Sequence, residues 1–169
     1  MSQKILITGT SSGFGDLMVR TLLSAGHTVV ATMRATAGKN KESAEALAAL
    51  GATVVEMDVT SDDSVTAGVR QAIEKVGSLD AVVNNAGVGV AGRQESFEIQ
   101  DFQRLFDVNL FGVQRVIRAV LPHFREKRAG TIVNISSILG RMVLPYFGPY
   151  NASKYALEAL TENYRIELS

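Results

Sequence analysis

The 169 residues contain no cysteine, which excludes a disulfide framework, a thiolate nucleophile and a cysteine-bound metal. Histidine is almost as scarce. Its two copies, His27 after a glycine and His123 between Pro122 and Phe124, form no cluster, so no metal site is expected. Neither sign of charge is in excess: lysine plus arginine and aspartate plus glutamate number 17 each, and no basic run offers itself to a nucleic-acid backbone or an anionic membrane. No nucleic acid and no membrane surface is therefore an expected partner. No apolar run reaches the roughly 18 residues of a membrane span, and residues 1–8 lack the make-up of a signal peptide, so a cytoplasmic protein is expected. A P-loop is missing too, because no Gly-Lys-Ser/Thr follows the first glycine-rich turn.

What the chain does have is enough apolar material for a core. Apolar residues make up 46% against 20% charged, a balance that suits one globular domain over residues 1–169. Five β-prone runs, at residues 4–8, 28–32, 53–57, 80–83 and 131–135, alternate with stretches of helical spacing. The helices are expected after Gly15, over 41–50, over 62–76, as one long helix over 98–127, and from Asn151 onward, with Gly26, Gly51 and Gly77 stopping the first three. Strands that alternate with helices predict an α/β fold, a doubly wound parallel sheet.

Residue types that carry chemistry gather at the ends of these strands. Gly9-Thr10-Ser11-Ser12-Gly13-Phe14-Gly15 lies between the first strand and the first helix, where glycines permit a tight turn and the helix N-terminus presents unpaired N–H groups to an anion such as a pyrophosphate. After the second strand, where an NAD-binding unit places an acidic residue, stand Met33 and Arg34; a guanidinium there favours a 2′-phosphate. Asp58 follows the third strand and Asn84-Asn85-Ala86-Gly87 the fourth, where strand order should reverse. Asn109 sits inside the long helix, as a satisfied core amide or as a residue that bends the helix or holds a water. Ser137 follows the fifth strand. Tyr150 and Lys154 are four apart, so on a helix they share a face, and a fixed cation beside a phenol favours its ionised form and its use in acid/base work.

In combination and in this order, Gly9-x3-Gly13-x-Gly15, Asp58, Asn84-Asn85-Ala86-Gly87, Ser137 and Tyr150-x3-Lys154 resemble the short-chain dehydrogenase/reductase family. The resemblance implies a Rossmann-type fold with three α/β/α layers and a nicotinamide dinucleotide cofactor. It further implies that Ser137 bonds the substrate oxygen, that Tyr150 exchanges the proton, that Lys154 holds the nicotinamide ribose and lowers the tyrosine pKa, and that Asn109 continues a proton relay through water. By the same resemblance Gly9, Thr10, Ser11, Ser12, Gly13, Phe14 and Gly15 cradle the pyrophosphate. Asp58 and Val59 would contact adenine, and Asn84, Ala86 and Gly87 would line the adenosine side. Arg34 matches the NADP-preferring variant, whereas Ser12 stands where another such variant carries a basic residue. The expected activity is hydride transfer between NADP(H), rather than NAD(H), and a small-molecule alcohol/carbonyl pair. An NADP-binding sensor or scaffold without turnover is the alternative. Sugar-nucleotide chemistry of the related extended family ranks lower, because its Gly-x-x-Gly-x-x-Gly spacing differs from Gly9 to Gly15. Members of the family continue well past the Tyr150 helix, so this chain is expected to be a fragment that leaves one sheet edge and that helix poorly covered. A homodimer or homotetramer through the long helix and the Tyr150 helix is expected of the full-length protein. Met142, Leu144 and Phe147 are expected to form an apolar wall near the reactive centre, suited to a lipophilic carbonyl.

Overall fold

The computed structural model describes residues 2–168. Strand β1 (Lys4–Thr8) leads into helix α1 (Gly13–Ser24), then β2 (Thr28–Met33), α2 (Lys41–Ala49), β3 (Thr53–Glu56) and α3 (Asp62–Val76). Strand β4 (Ala81–Asn84) follows, and then α4 (Ile99–Phe106), α5 (Gly112–Lys127), β5 (Thr131–Asn134) and α6 (Gly148–Glu167). All pairings are parallel and the sheet order is β3-β2-β1-β4-β5, so the chain starts in the middle, moves outward one way, and crosses back to β4. The carboxyl ends of β1 and β4 therefore meet at a topological switch point, where open α/β sheets bind ligands.

Adjacent residues of each central strand point to opposite faces, and both faces are covered. Leu6, Val30, Val55 and Val82 pack with Val65, Val69 and Ala72 of α3 and Val116, Val120 and Phe124 of α5. Ile5, Ile7, Val29, Ala31 and Val83 pack on the other face with Val19 of α1 and Ala44 and Leu47 of α2. Such burial explains why these strands read as near-continuous apolar runs. The result is the three-layer α/β/α arrangement. Helix α6 joins it through Leu157, which packs against Val113 and Ile117 of α5.

The structure redraws three expected elements. The fourth strand starts at Ala81 rather than at Asp80, whose carboxylate instead accepts from the Lys4 N–H and pairs with Lys127. The Tyr150 helix begins at Gly148, two residues ahead of Tyr150, because Pro149 is preset for a first helical turn. The long helix is not continuous: Asp107–Phe111 forms a π-turn, in which the Gly112 N–H reaches back to the Asp107 carbonyl. That extra residue in the ladder divides α4 from α5, and Asn109 within it is buried.

Candidate active site

Two hollows lie side by side along the carboxyl edge of the sheet. The first, about 350 Å³, is walled by the glycine-rich turn, the β2–α2 connection, Met57–Thr60 and residues 85–88. The second, about 770 Å³, opens beside it and holds Ser137, Tyr150 and Lys154. Phe14, Asn85, Gly87 and Val88 line both, so the two are continuous.

Close backbone approach at the switch point demands small residues. A Cβ on Gly9 would lie 2.7 Å from the Ala86 Cα, and one on Gly15 would lie 2.2 Å from the Gly9 carbonyl oxygen. Gly13 differs: its φ of +59° is left-handed, nothing stands within 4 Å of a Cβ built there, and it does not line the hollow. Side chains then fasten the two strand ends. The Asn85 and Ala86 N–H groups both donate to Thr8 Oγ1 at 3.0 Å, while Asn85 Nδ2 donates to the carbonyls of Thr8 at 2.9 Å and Gly9 at 3.0 Å.

At the far end of the first hollow stand Arg34, Asp58 and Val59. Burial pushes the Asp58 carboxyl up, but bonds from the Thr60 N–H and hydroxyl, with Arg34 and Arg115 nearby, outweigh it and hold the group below the usual carboxylate range. The residue is thus an acceptor at neutral pH.

In the second hollow Lys154 is almost fully buried, with Nζ donating to the Ile135 carbonyl at 2.8 Å and lying 5.8 Å from the centroid of the Tyr150 ring. Burial pushes this lysine down from its ordinary range, partly opposed by Glu158. Glu158 is itself held low by the Ser136 hydroxyl and by Arg141, whose Nη2 lies 2.7 Å from Oε2. Ser137 Oγ accepts the Leu139 N–H at 3.1 Å, and among the described residues no acceptor takes its proton. Its hydroxyl remains available to a guest in the cavity.

Asn109 ties the two sides of this hollow together. Its Oδ1 accepts the Val88 N–H at 2.9 Å, and its Nδ2 donates to the Val88 carbonyl at 2.9 Å and to Ser153 Oγ at 3.1 Å. Ser153 in turn donates to the Tyr150 carbonyl at 2.9 Å. The amide is a satisfied core group that clamps the wall at Val88 to the first turn of α6.

Most of the residues singled out from the sequence meet here. Gly9, Ser11, Ser12, Phe14, Gly15, Arg34, Asp58, Val59, Ala86 and Gly87 line the first hollow; Ser137, Tyr150 and Lys154 line the second. Two side chains turn away. Thr10 is buried with its hydroxyl on the Thr32 carbonyl, and Asn84 points within the sheet, where its Nδ2 donates to Asn134 Oδ1 at 2.8 Å. The amide that faces the hollows is Asn85, the next residue along, because neighbours on a strand point opposite ways. Of the expected apolar wall, Phe147 lines the second hollow, whereas Leu144 lies on a separate one and Met142 is exposed. Lys39 and Ser153 were not singled out for a role; only the folded β2–α2 connection and the buried helix face reveal them.

Residues 3–169 match the family model described as short chain dehydrogenase. A 3-ketodihydrosphingosine reductase of Bacteroides thetaiotaomicron is 40% identical over 166 residues, which cover 98% of this chain and 58% of that protein. Human retinol dehydrogenase 8 is 41% identical over 169 residues, covering 97% of this chain and 53% of the relative. The chain thus spans little more than half the length of these relatives. Among solved structures, a gluconate 5-dehydrogenase from Burkholderia cenocepacia in complex with NADP and tartrate is similar at a TM-score of 0.89 and 31% identity, over 99% of this chain and 66% of that one. A short chain dehydrogenase/reductase from Burkholderia phymatum in complex with NAD is similar at 0.87 and 33%, over 96% and 58% of the two chains.

Proposed function

Because the chain belongs to the short-chain dehydrogenase family, we propose that the natural protein is an oxidoreductase that interconverts an alcohol and a carbonyl compound with NADP(H). The observation that carries this is the convergence of Ser137, Tyr150 and Lys154 on a cavity continuous with the hollow of the glycine-rich turn. A bound nicotinamide dinucleotide would supply or accept the hydride at the carbon of the reacting C–O bond. The chain's own residues handle its oxygen. Ser137 donates its unclaimed proton to that oxygen, and the Tyr150 hydroxyl delivers a proton to it in reduction or takes one in oxidation. Lys154 keeps two ammonium protons beyond the one given to Ile135, enough to hold a ribose hydroxyl.

Asn109 acts on this chemistry by position, because its amide is bonded to Val88 and Ser153. Asp58 and Val59 receive the adenine, Ala86 and Gly87 the adenosine side, and Gly9 to Gly15 the pyrophosphate. NADP is favoured over NAD by Arg34 on the hollow and by the lack of a carboxylate directly after β2. A lipophilic substrate is favoured by Val90, Ala91, Ile135 and Phe147 around the reaction cavity, and by the sphingoid ketone and retinol named for the two similar relatives. A cytoplasmic homodimer or homotetramer is the proposed setting; among the described residues no helix is long and apolar enough to cross a membrane.

Replacing Tyr150 by Phe tests the assignment. Turnover of a medium-chain or aryl ketone by the natural protein should fall at least about a hundredfold, with NADPH affinity by fluorescence titration nearly unchanged. Equal turnover by the variant would exclude Tyr150 as the proton donor, and nucleotide binding with no turnover by the parent across a ketone panel would favour a sensor.

A further inference from the structure

The rim of the first hollow beside α2 carries two cations, Arg34 and Lys39. The β2–α2 connection folds so as to bring them together. Ala35 takes a left-handed backbone with φ of +52°, and its carbonyl accepts the N–H groups of Gly38 at 3.0 Å and Asn40 at 3.2 Å. Asn40 Nδ2 donates to the Arg34 carbonyl at 2.6 Å, which closes the turn. The carboxylate at the end of β3, Glu56, is taken up by neutral donors, the N–H and hydroxyl of Thr36. Among the described residues neither Arg34 nor Lys39 belongs to an ion pair.

The two cations are not equivalent. Arg34 acts on the ionised Asp58, which lines the same hollow, so part of its field is already balanced, whereas among the described residues Lys39 pairs with no carboxylate. We propose that Lys39 is a second specificity-determining residue, which joins Arg34 in binding the 2′-phosphate of NADP(H). This rests on the dinucleotide assignment above. A phosphate monoester carries about −1.5 to −2 charge at neutral pH, more than one guanidinium shared with a carboxylate neutralises. Lys39 supplies the missing charge from the other side of the turn as a mobile point donor, while Arg34 supplies the planar fork. The 2′-hydroxyl of NAD(H) offers that ammonium no charge, so the lysine discriminates between the two nucleotides rather than strengthening both.

Fluorescence titration of the natural full-length protein with NADPH and with NADH tests this, with adenosine 2′,5′-bisphosphate as a competing probe. K39A should weaken NADPH and the bisphosphate about tenfold, leave NADH unchanged, and be rescued by K39R. Unchanged NADPH affinity in K39A, with a loss in R34A, would overturn the role of Lys39 and leave the NADP assignment standing. Equal weakening of NADPH and NADH by K39A would also overturn it, by showing a general contact. Equal affinity of the parent protein for the two nucleotides would remove the NADP assignment and this inference with it.

Discussion

The two hollows share a wall but not a style of construction. Around the first, β1, β2 and β4 are buried almost throughout, and Leu6, Ile7, Val29 and Val30 are wholly shielded from solvent. Around the second, the outer boundary is β5, where Val133 is 40% exposed, and a segment that leaves Ile138 71% and Val143 69% exposed. The strands behind the first hollow are therefore covered within this chain. The reaction side has its polar groups in place but presents bare apolar surface next to them, in a chain that spans 58% and 53% of two relatives. The two hollows thus rest on differently covered parts of one sheet.

Core truncation should break this contrast most visibly. Leu6→Ala removes a fully buried side chain from the central strand and should cost about 2–5 kcal/mol in denaturant unfolding, whereas Val133→Ala on the exposed edge should cost under about 1 kcal/mol. Similar costs at the two positions would mean that the edge is covered in the natural protein. Next in size is a pair within the glycine-rich turn. Gly15→Ala forces a Cβ against the Gly9 carbonyl and the Asn85 amide and should destabilise the fold by about 1–3 kcal/mol or more. Gly13→Ala meets no neighbour, so it should cost only about 1–2 kcal/mol of left-handed strain.

The smallest effect sharpens the reaction side. With the folded-state pKa of Lys154 depressed by burial, the unfolded chain binds more protons between that value and the ordinary lysine value, so stability rises with pH across this alkaline window. Lys154→Met should abolish turnover yet flatten that rise, seen as a difference between thermal midpoints of parent and variant from neutral pH to about pH 10. A parallel pH course in both proteins would show that the lysine is charged without penalty.

Alternation of strands with helices, and glycines after the helices, made a doubly wound parallel sheet legible from spacing, while the three-layer arrangement came from the family resemblance. The long helix was legible as apolar but not as interrupted, because a π-turn changes one hydrogen-bond step and leaves the apolar pattern nearly intact. Spacing also found Tyr150, Lys154 and Ser137, since four residues on a helix or the end of a strand fix where a side chain points. The resemblance named Asn84 where Asn85 lines the hollow, because a one-residue change of strand end exchanges inside for outside. Lys39 was invisible for a different reason. A turn made by backbone bonds to Ala35 and by an Asn40 side chain has no periodicity to read.

The parallel order β3-β2-β1-β4-β5 also sets a timetable during synthesis. Three paired strands are available once residue 56 has left the ribosome, but the nucleotide hollow has no far wall until β4 and residues 85–88 follow. Tyr150 and Lys154 arrive later still, several seconds later at about 5–20 residues per second. A nascent chain therefore acquires the strands behind the first hollow before it owns the groups of the second.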